Sequence, residues 1–288
     1  MKIAGITTVK NEVDVIDFCL SHHFDQGIDR IYISDNGSTD GTYEYLLDAC
    51  KSNEKIHAFK NDGGFHQAKI INELYQLARK DGFDWVVPFD ADELWMSENS
   101  LKDDLSGVDA FSVKVKTINF IQSTEYDVDN SYLTATWRIK NDYPVDVNRI
   151  FSGDLSMSEV ESFQKFIIRT DENTYIQPGA HSYSGGGSEC LDNDKFAIIH
   201  VPIRSFRALE EKANQGRALR DAGYPPDHGF HVQRYDALRE QGLLFNEWVA
   251  NSVKEGHIYK LNGEVVEVFY DDTVAKIYKK YKEGGRDK

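Results

Sequence analysis

Four apolar runs in the first 90 residues constrain this chain most, because each hands over to a polar loop and three lead on into a helical stretch. The runs are IAGITTV (3–9), IDRIYIS (28–34), KIHAFK (55–60) and WVVPFD (85–90). Asn11 is placed to cap a helix through about Gln26, with Val15, Ile16, Phe18, Cys19 and Phe24 as apolar positions. Thr39 or Asp40 is placed to cap TYEYLLDACK, and a third helix is expected over about 66–80. Strands alternating with helices predict a mainly parallel sheet covered on both faces, which receives ligands at the carboxyl ends of its strands.

The pattern changes after Leu94. FSVKVKTINF (111–120), YLTATWRIK, KFIIRT and KFAIIHV (195–201) are strand candidates, so a mixed sheet is expected in the second half. From about Ser205 the chain reads as helical and charged, with VEVFYDD the exception. The expected fold class is α/β, a mixed, mainly parallel sheet flanked by helices. The expected division is a main domain over 1–205, with halves 1–95 and 96–205, and a mainly helical extension over 206–288.

Charge narrows the function classes. The chain has 33 Lys and Arg against 48 Asp and Glu, a formal net charge of −15, which argues against a nucleic-acid binder. An anionic ligand stays open, because local cations or a metal can invert the field within a cleft. Cys19, Cys50 and Cys190 are scattered and match no zinc spacing. Reduced thiols and a cytoplasmic location are expected. No stretch approaches the roughly 20 apolar residues of a spanning helix, and the first apolar run is too short for a signal peptide. The basic tail KIYKKYKEGGRDK suits either peripheral contact with an anionic membrane at the inner face or a solvated helix end.

Three loops at expected strand ends carry the chemistry: TTVKNE (7–12), SDNGSTDGT (34–42) and DADE (90–93). In extended backbone Asp90 and Asp92 share a side, and two desolvated like charges raise each other's pKa unless a cation neutralises them. Hard oxygen ligands suit Mg²⁺ or Mn²⁺. The bland alternative is a solvated turn capping a helix that starts after Glu93. Asp35 follows a strand directly, where a carboxylate can accept from a base N–H or a ribose hydroxyl. His200 ends the apolar run KFAIIHV, either as a metal ligand or as a satisfied buried histidine. Trp85 is expected in the core and Trp95 near the cleft.

Together, ITTVKNE, IYISDNGSTDGT and FDADE, the last as a DxD motif, resemble the nucleotide-sugar-binding half of a GT-A glycosyltransferase of the family-two type. The pair at His22 and His23, followed by Gly27, Asp29 and Ile31, and the DxDE form are more like the subgroup related to glycosyltransferase family 92. The resemblance implies that Thr7, Thr8 and Glu12 line a nucleoside pocket and that Asp35 contacts base or ribose. It implies that His66, Gln67 and Lys69, in GGFHQAKIINEL, help hold the donor. Asp90 and Asp92 would meet Mn²⁺ or Mg²⁺ and the diphosphate. His200 would complete the metal shell, Arg204 would neutralise the leaving diphosphate, and Glu93 would orient the loop or the acceptor.

The implied reaction is inverting transfer from a nucleotide-sugar donor, a UDP-sugar favoured, to a glycan, lipid-linked or other hydroxyl acceptor, in glycan or surface polysaccharide assembly. It needs one base. Glu189, His181, Asp171 and Glu172 are the candidates, with Glu189 preferred. The glycine-rich stretch PGAHSYSGGGSE reads as a lid. The alternatives are a nucleotidyltransferase and a non-catalytic sugar- or nucleotide-binding module on a GT-A scaffold.

Overall fold

A computed structural model describes residues 1–61, 64, 67–126, 128–139, 143–161, 163–226, 228–260 and 262–284. In chain order the elements are β1 (Ile3–Val9), α1 (Ile16–Asp25), β2 (Arg30–Asp35), α2 (Thr42–Ser52), β3 (Ile56–Lys60), α3 (Gln67–Lys80), β4 (Trp85–Pro88), β5 (Glu93–Ser97), α4 (Leu101–Leu105) and β6 (Ser112–Asn119). There follow β7 (Trp137–Ile139), α5 (Val147–Ser152), β8 (Lys165–Arg169), β9 (Tyr175–Ile176), β10 (Tyr183–Ser184) and β11 (Cys190–His200). The remainder is α6 (Phe206–Asp221), α7 (Phe230–Glu240), α8 (Leu244–Ala250), β12 (His257–Tyr259), β13 (Val265–Tyr270) and α9 (Thr273–Gly284). Two compact units form, one from 1–118 with 163–200 and one from 119–162 with 201–288.

The first unit is built on an eight-stranded mixed sheet in the order β3-β2-β1-β4-β8-β6-β11-β5. β3, β2, β1 and β4 run parallel, as their strand–helix alternation requires. β8 is antiparallel to both β4 and β6, and β5 is antiparallel to β11. The amino end of β8 therefore lies beside the carboxyl end of β4. Helix α3 turns Ile70, Ile71, Leu74, Tyr75 and Ala78 onto Ala4, Ile6, Tyr32 and Val86. Their i, i+4, i+8 spacing makes one apolar stripe. Each large side chain buried there contributes roughly 1.5–3 kcal/mol before entropy is counted. Gly5 is required where it stands, because a Cβ would lie 2.8 Å from the Phe89 ring that precedes Asp90.

Three local expectations are revised. Helix α1 begins at Ile16, not at Asn11, which takes a left-handed φ of 57° and serves a loop instead. Glu93 opens strand β5 rather than preceding a helix. YLTATWRIK yields only the short β7, after a 3₁₀ turn over Val128–Leu133.

The second unit contains a three-stranded sheet in the order β12-β13-β7, with α6, α7 and α8. The buried Asp236 of α7 accepts from Arg220 and Arg239 at 2.8 and 2.6 Å, which absorbs part of the dense charge of this region. The units do not follow a 205/206 boundary. β7 pairs with β13 more than a hundred residues later, and such non-local pairing leaves no local mark in a sequence. Among the described residues no helix is long and apolar enough to cross a membrane.

Candidate active site

The loops after β1 and β2 are stitched together at the carboxyl edge of the sheet. Asn11 N–H donates to Ser38 Oγ at 2.9 Å, and Asn11 Oδ1 accepts from Thr39 N–H at 2.8 Å. Glu12 N–H donates to Thr42 Oγ1 and Val13 N–H to Asp40 Oδ2. Burial pushes the Asp40 carboxyl up, but its hydrogen bonds from Thr42 and Val13 outweigh this and hold it below the usual range. Thr7 and Thr8 end β1 opposite Ile33 and Ser34 of β2. Asp35 ends β2 and is fully buried. Its Oδ1 accepts from Gly37 and Ser38 N–H at 3.0 Å each, while Oδ2 is buried with no hydrogen-bond partner. A buried acceptor left open in this way costs free energy until something donates to it.

Residues 90–93 turn rather than extend, with Glu93 N–H donating to Asp90 O at 3.1 Å. The turn splays the acids instead of aligning Asp90 with Asp92. Asp90 Oδ2 lies 2.6 Å from Lys165 Nζ, and Glu93 Oε1 lies 2.7 Å from the same ammonium. Lys165 and Glu93 are 4% and 3% exposed, Asp90 45%. Burial pulls the Lys165 pKa down, but the two carboxylates more than offset it and raise the pKa above the ordinary lysine value. Glu93 is pushed up by burial, with Lys165 opposing. Its Oε2 also accepts from Asp90 N–H and Trp95 Nε1, both at 3.1 Å. Trp95 is thus a buried strut of this turn, whereas Trp85 is fully buried under the Arg169 guanidinium.

Asp92 points elsewhere, its Oδ1 3.6 Å from His200 Nε2. β11 delivers His200 opposite Glu93 of β5. The pair is a carboxylate oxygen and an imidazole nitrogen, a donor set that fits one divalent cation whose other positions come from substrate oxygens and water. Asp90, held by Lys165, does not join it, and among the described residues no group of three His, Cys, Asp or Glu could hold a metal.

The cleft beside Asp90 and Lys165 is lined by Gln67, Gln177, Gly179 and Ala180 among others. His181 follows on that rim. Its Nδ1 faces Gln164 O at 3.3 Å and its ring meets Phe163, centroids 5.0 Å apart. Burial first, then Lys165, holds its pKa below the ordinary histidine value. A Cβ on Gly179 would fall 2.6 Å from the ring, so glycine there makes room for it.

Glu189 is placed differently. Phe111 and Ser112 N–H both donate to its carbonyl at the amino end of β6. The whole of β11 separates it from His200, about 35 Å of extended chain. Asp171 and Glu172 follow the carboxyl end of β8, on that same far edge. The glycine run 185–187 packs against Phe111 and Asn173 there, so it does not form a lid over Asp92 and His200. Lys69 is exposed and faces Glu73 at 3.8 Å, one turn along α3. His66 lies outside the described residues. Arg204 belongs to the second unit, buried, its carbonyl accepting from Gln122. The residue that sequence reasoning missed is Lys165. A lysine opening the apolar run KFIIRT was its only signal.

A buried histidine pair supports the turn from below. His22 Nε2 contacts Trp95 O at 2.9 Å, and His23 stacks on Phe89 with centroids 4.1 Å apart. Burial, then His22, lowers the His23 pKa to about 3. Unfolded, it titrates near 6.5. Between those values the unfolded chain binds the extra proton. Stability from neutral His23 is therefore full above about pH 6.5 and falls by about 1.4 kcal/mol per pH unit below it. Urea unfolding at pH 7 and pH 5 should reveal a loss of about 2 kcal/mol that His23→Gln removes. Identical losses in both proteins would reject this origin.

Residues 6–109 match the model of glycosyl transferase family 2. The stitched loops and the DADE turn lie within that matched segment, which spans about a third of the chain. Lys165, His181 and His200 lie beyond the matched segment. Among solved structures, S. aureus TarS 1–349 in complex with UDP-GlcNAc is similar at 14% identity, over 88% of this chain and 82% of that chain, with a TM-score of 0.45. The mannosyltransferase PcManGT from Pyrobaculum calidifontis, in complex with GDP-Man and Mn²⁺, is similar at 16% identity, over 87% and 73%, with a TM-score of 0.44. No curated protein matches the chain.

Proposed function

We propose that this chain transfers a sugar from a nucleotide-sugar donor, a UDP-sugar favoured, to a hydroxyl of a glycan or lipid-linked acceptor, inverting the anomeric carbon. One observation carries the reading. The edge that bears the buried, unsatisfied carboxylate of Asp35 also bears the Asp92–His200 pair, in a chain whose residues 6–109 match the family 2 model. Asp35 ends β2 and Asp90 follows β4, two strand spacings away, roughly 10 Å. That span suits a nucleoside at one end and its diphosphate at the other.

In this reading the nucleoside lies over Thr7, Thr8 and Glu12, and base or ribose donates to Asp35 Oδ2. Gln67 flanks the donor, and Asp90 presents its half-exposed carboxylate to the sugar or ribose hydroxyls. Asp92 and His200 hold Mn²⁺ or Mg²⁺, which supplies charge stabilisation to the departing diphosphate when bound. His181 is the base. With Nδ1–H donated to Gln164 O, Nε2 is the open acceptor. The acceptor oxygen bonds to the anomeric carbon, the bond from that carbon to the diphosphate oxygen breaks, and the hydroxyl proton passes to Nε2.

The test is release of nucleoside diphosphate from UDP-, GDP- and dTDP-sugars, with Mn²⁺ and with EDTA. Release from one donor class, lost with EDTA, is expected. No release from any donor across an acceptor panel would overturn the reading, and pyrophosphate release from a nucleoside triphosphate would replace it with nucleotidyl transfer.

A further inference from the structure

The reaction above does not use Lys165. It is nearly fully buried, it opens β8 beside the carboxyl end of β4, and it contacts Asp90 and Glu93 at 2.6 and 2.7 Å. Asp92, between those acids in sequence, faces His200 instead.

We propose that Lys165 is a positioning residue, a fixed counter-cation that keeps Asp90 and Glu93 out of the ion site and so keeps that site weak until the diphosphate arrives. Its use in sugar transfer rests on the reading above. Its effect on the ion does not.

The argument is one of charge and ligand count. Three acids lie within four residues, enough to trap a divalent ion tightly in the resting chain. The Lys165 ammonium cancels one of those charges and turns the Asp90 carboxylate away. Two protein ligands remain, too few for a closed site, and the rest must come from phosphate oxygens and water. Asp92 and His200 alone would then hold the ion weakly, and tight binding would need the donor diphosphate. Glu93 anchors the device, since its second oxygen is already held by Asp90 N–H and Trp95 Nε1.

The experiment titrates the folded chain with Mn²⁺ alone and follows the free ion by electron paramagnetic resonance. Lys165→Met should bind Mn²⁺ about tenfold more tightly than wild type, the scale of one unit charge removed at close range. Lys165→Arg, which keeps the cation, should stay near wild type. Glu93→Gln, which leaves the lysine charge in excess, should bind several-fold more weakly. A Lys165→Met chain with the wild-type circular dichroism spectrum and no gain in Mn²⁺ affinity overturns the proposal. Removing one partner of a buried pair can also unfold a chain. If Lys165→Met does not fold, Glu93→Gln decides, and unchanged or tighter binding there overturns the proposal. No nucleotide sugar is present, so a failure of sugar transfer and a failure of this proposal are read separately.

Discussion

Replacing Asp92 with alanine is expected to lower sugar transfer by about a thousandfold, equivalent to about 4 kcal/mol of transition-state stabilisation. Asp92 and His200 are the two groups of the edge that face each other without a lysine between them. Under the proposed function, charge developing on the leaving diphosphate would be met there. His200→Ala should cost a similar factor. If Asp92 and His200 hold one ion as proposed, the double variant should be little worse than either single one, because such ligands act as a unit and their losses do not add. Initial rates of nucleoside diphosphate release, on variants whose thermal unfolding matches wild type, measure this. An Asp92→Ala enzyme keeping more than a tenth of wild-type activity would move the diphosphate site elsewhere.

The second large effect is expected at His181. Its alanine variant should lose between about a hundred- and ten-thousandfold in kcat, the usual contribution of a positioned base, with little change in donor KM. The pH profile gives a sharper test. A base must be neutral to accept a proton, and burial, followed by Lys165, keeps the His181 pKa below the ordinary histidine value. The acid limb of kcat/KM should therefore fall below pH 6.5, and His181→Ala should abolish that limb while leaving residual activity flat. Glu189→Gln should retain full activity. The opposite pattern, an inert Glu189→Gln beside an active His181→Ala, would reverse the assignment.

The parallel half of the fold was legible because apolar runs of strand length alternate with helical ones, and the acids at their ends mark the carboxyl edge of the sheet. What stayed hidden depended on direction and length. A lysine opening an apolar strand reads as a solvated end. Only the antiparallel pairing of β8 with β4 carries Lys165 to the acids. The apolar run KFAIIHV marked only the second half of β11, from Lys195. The strand begins at Cys190 and turns exposed side chains outward along its first half, which puts Glu189 at the far edge. The bland alternative set Glu93 before a helix because acids favour helix starts. Here the buried lysine and an indole N–H hold it, and edge pairing with β11 makes it a strand residue.

The hydrogen bonds joining residues 11–13 to residues 38–42 have a consequence for selectivity. Two loops that a sequence shows as separate form one stiff wall, set before any donor arrives. A stiff wall cannot adjust its outline to a larger ring or a displaced exocyclic group. Under the proposed function it would reject by shape and by unmet acceptors instead of by closing late. Loosening it at Asn11 or Asp40 should blur the preference among nucleobases before it weakens binding of the preferred one.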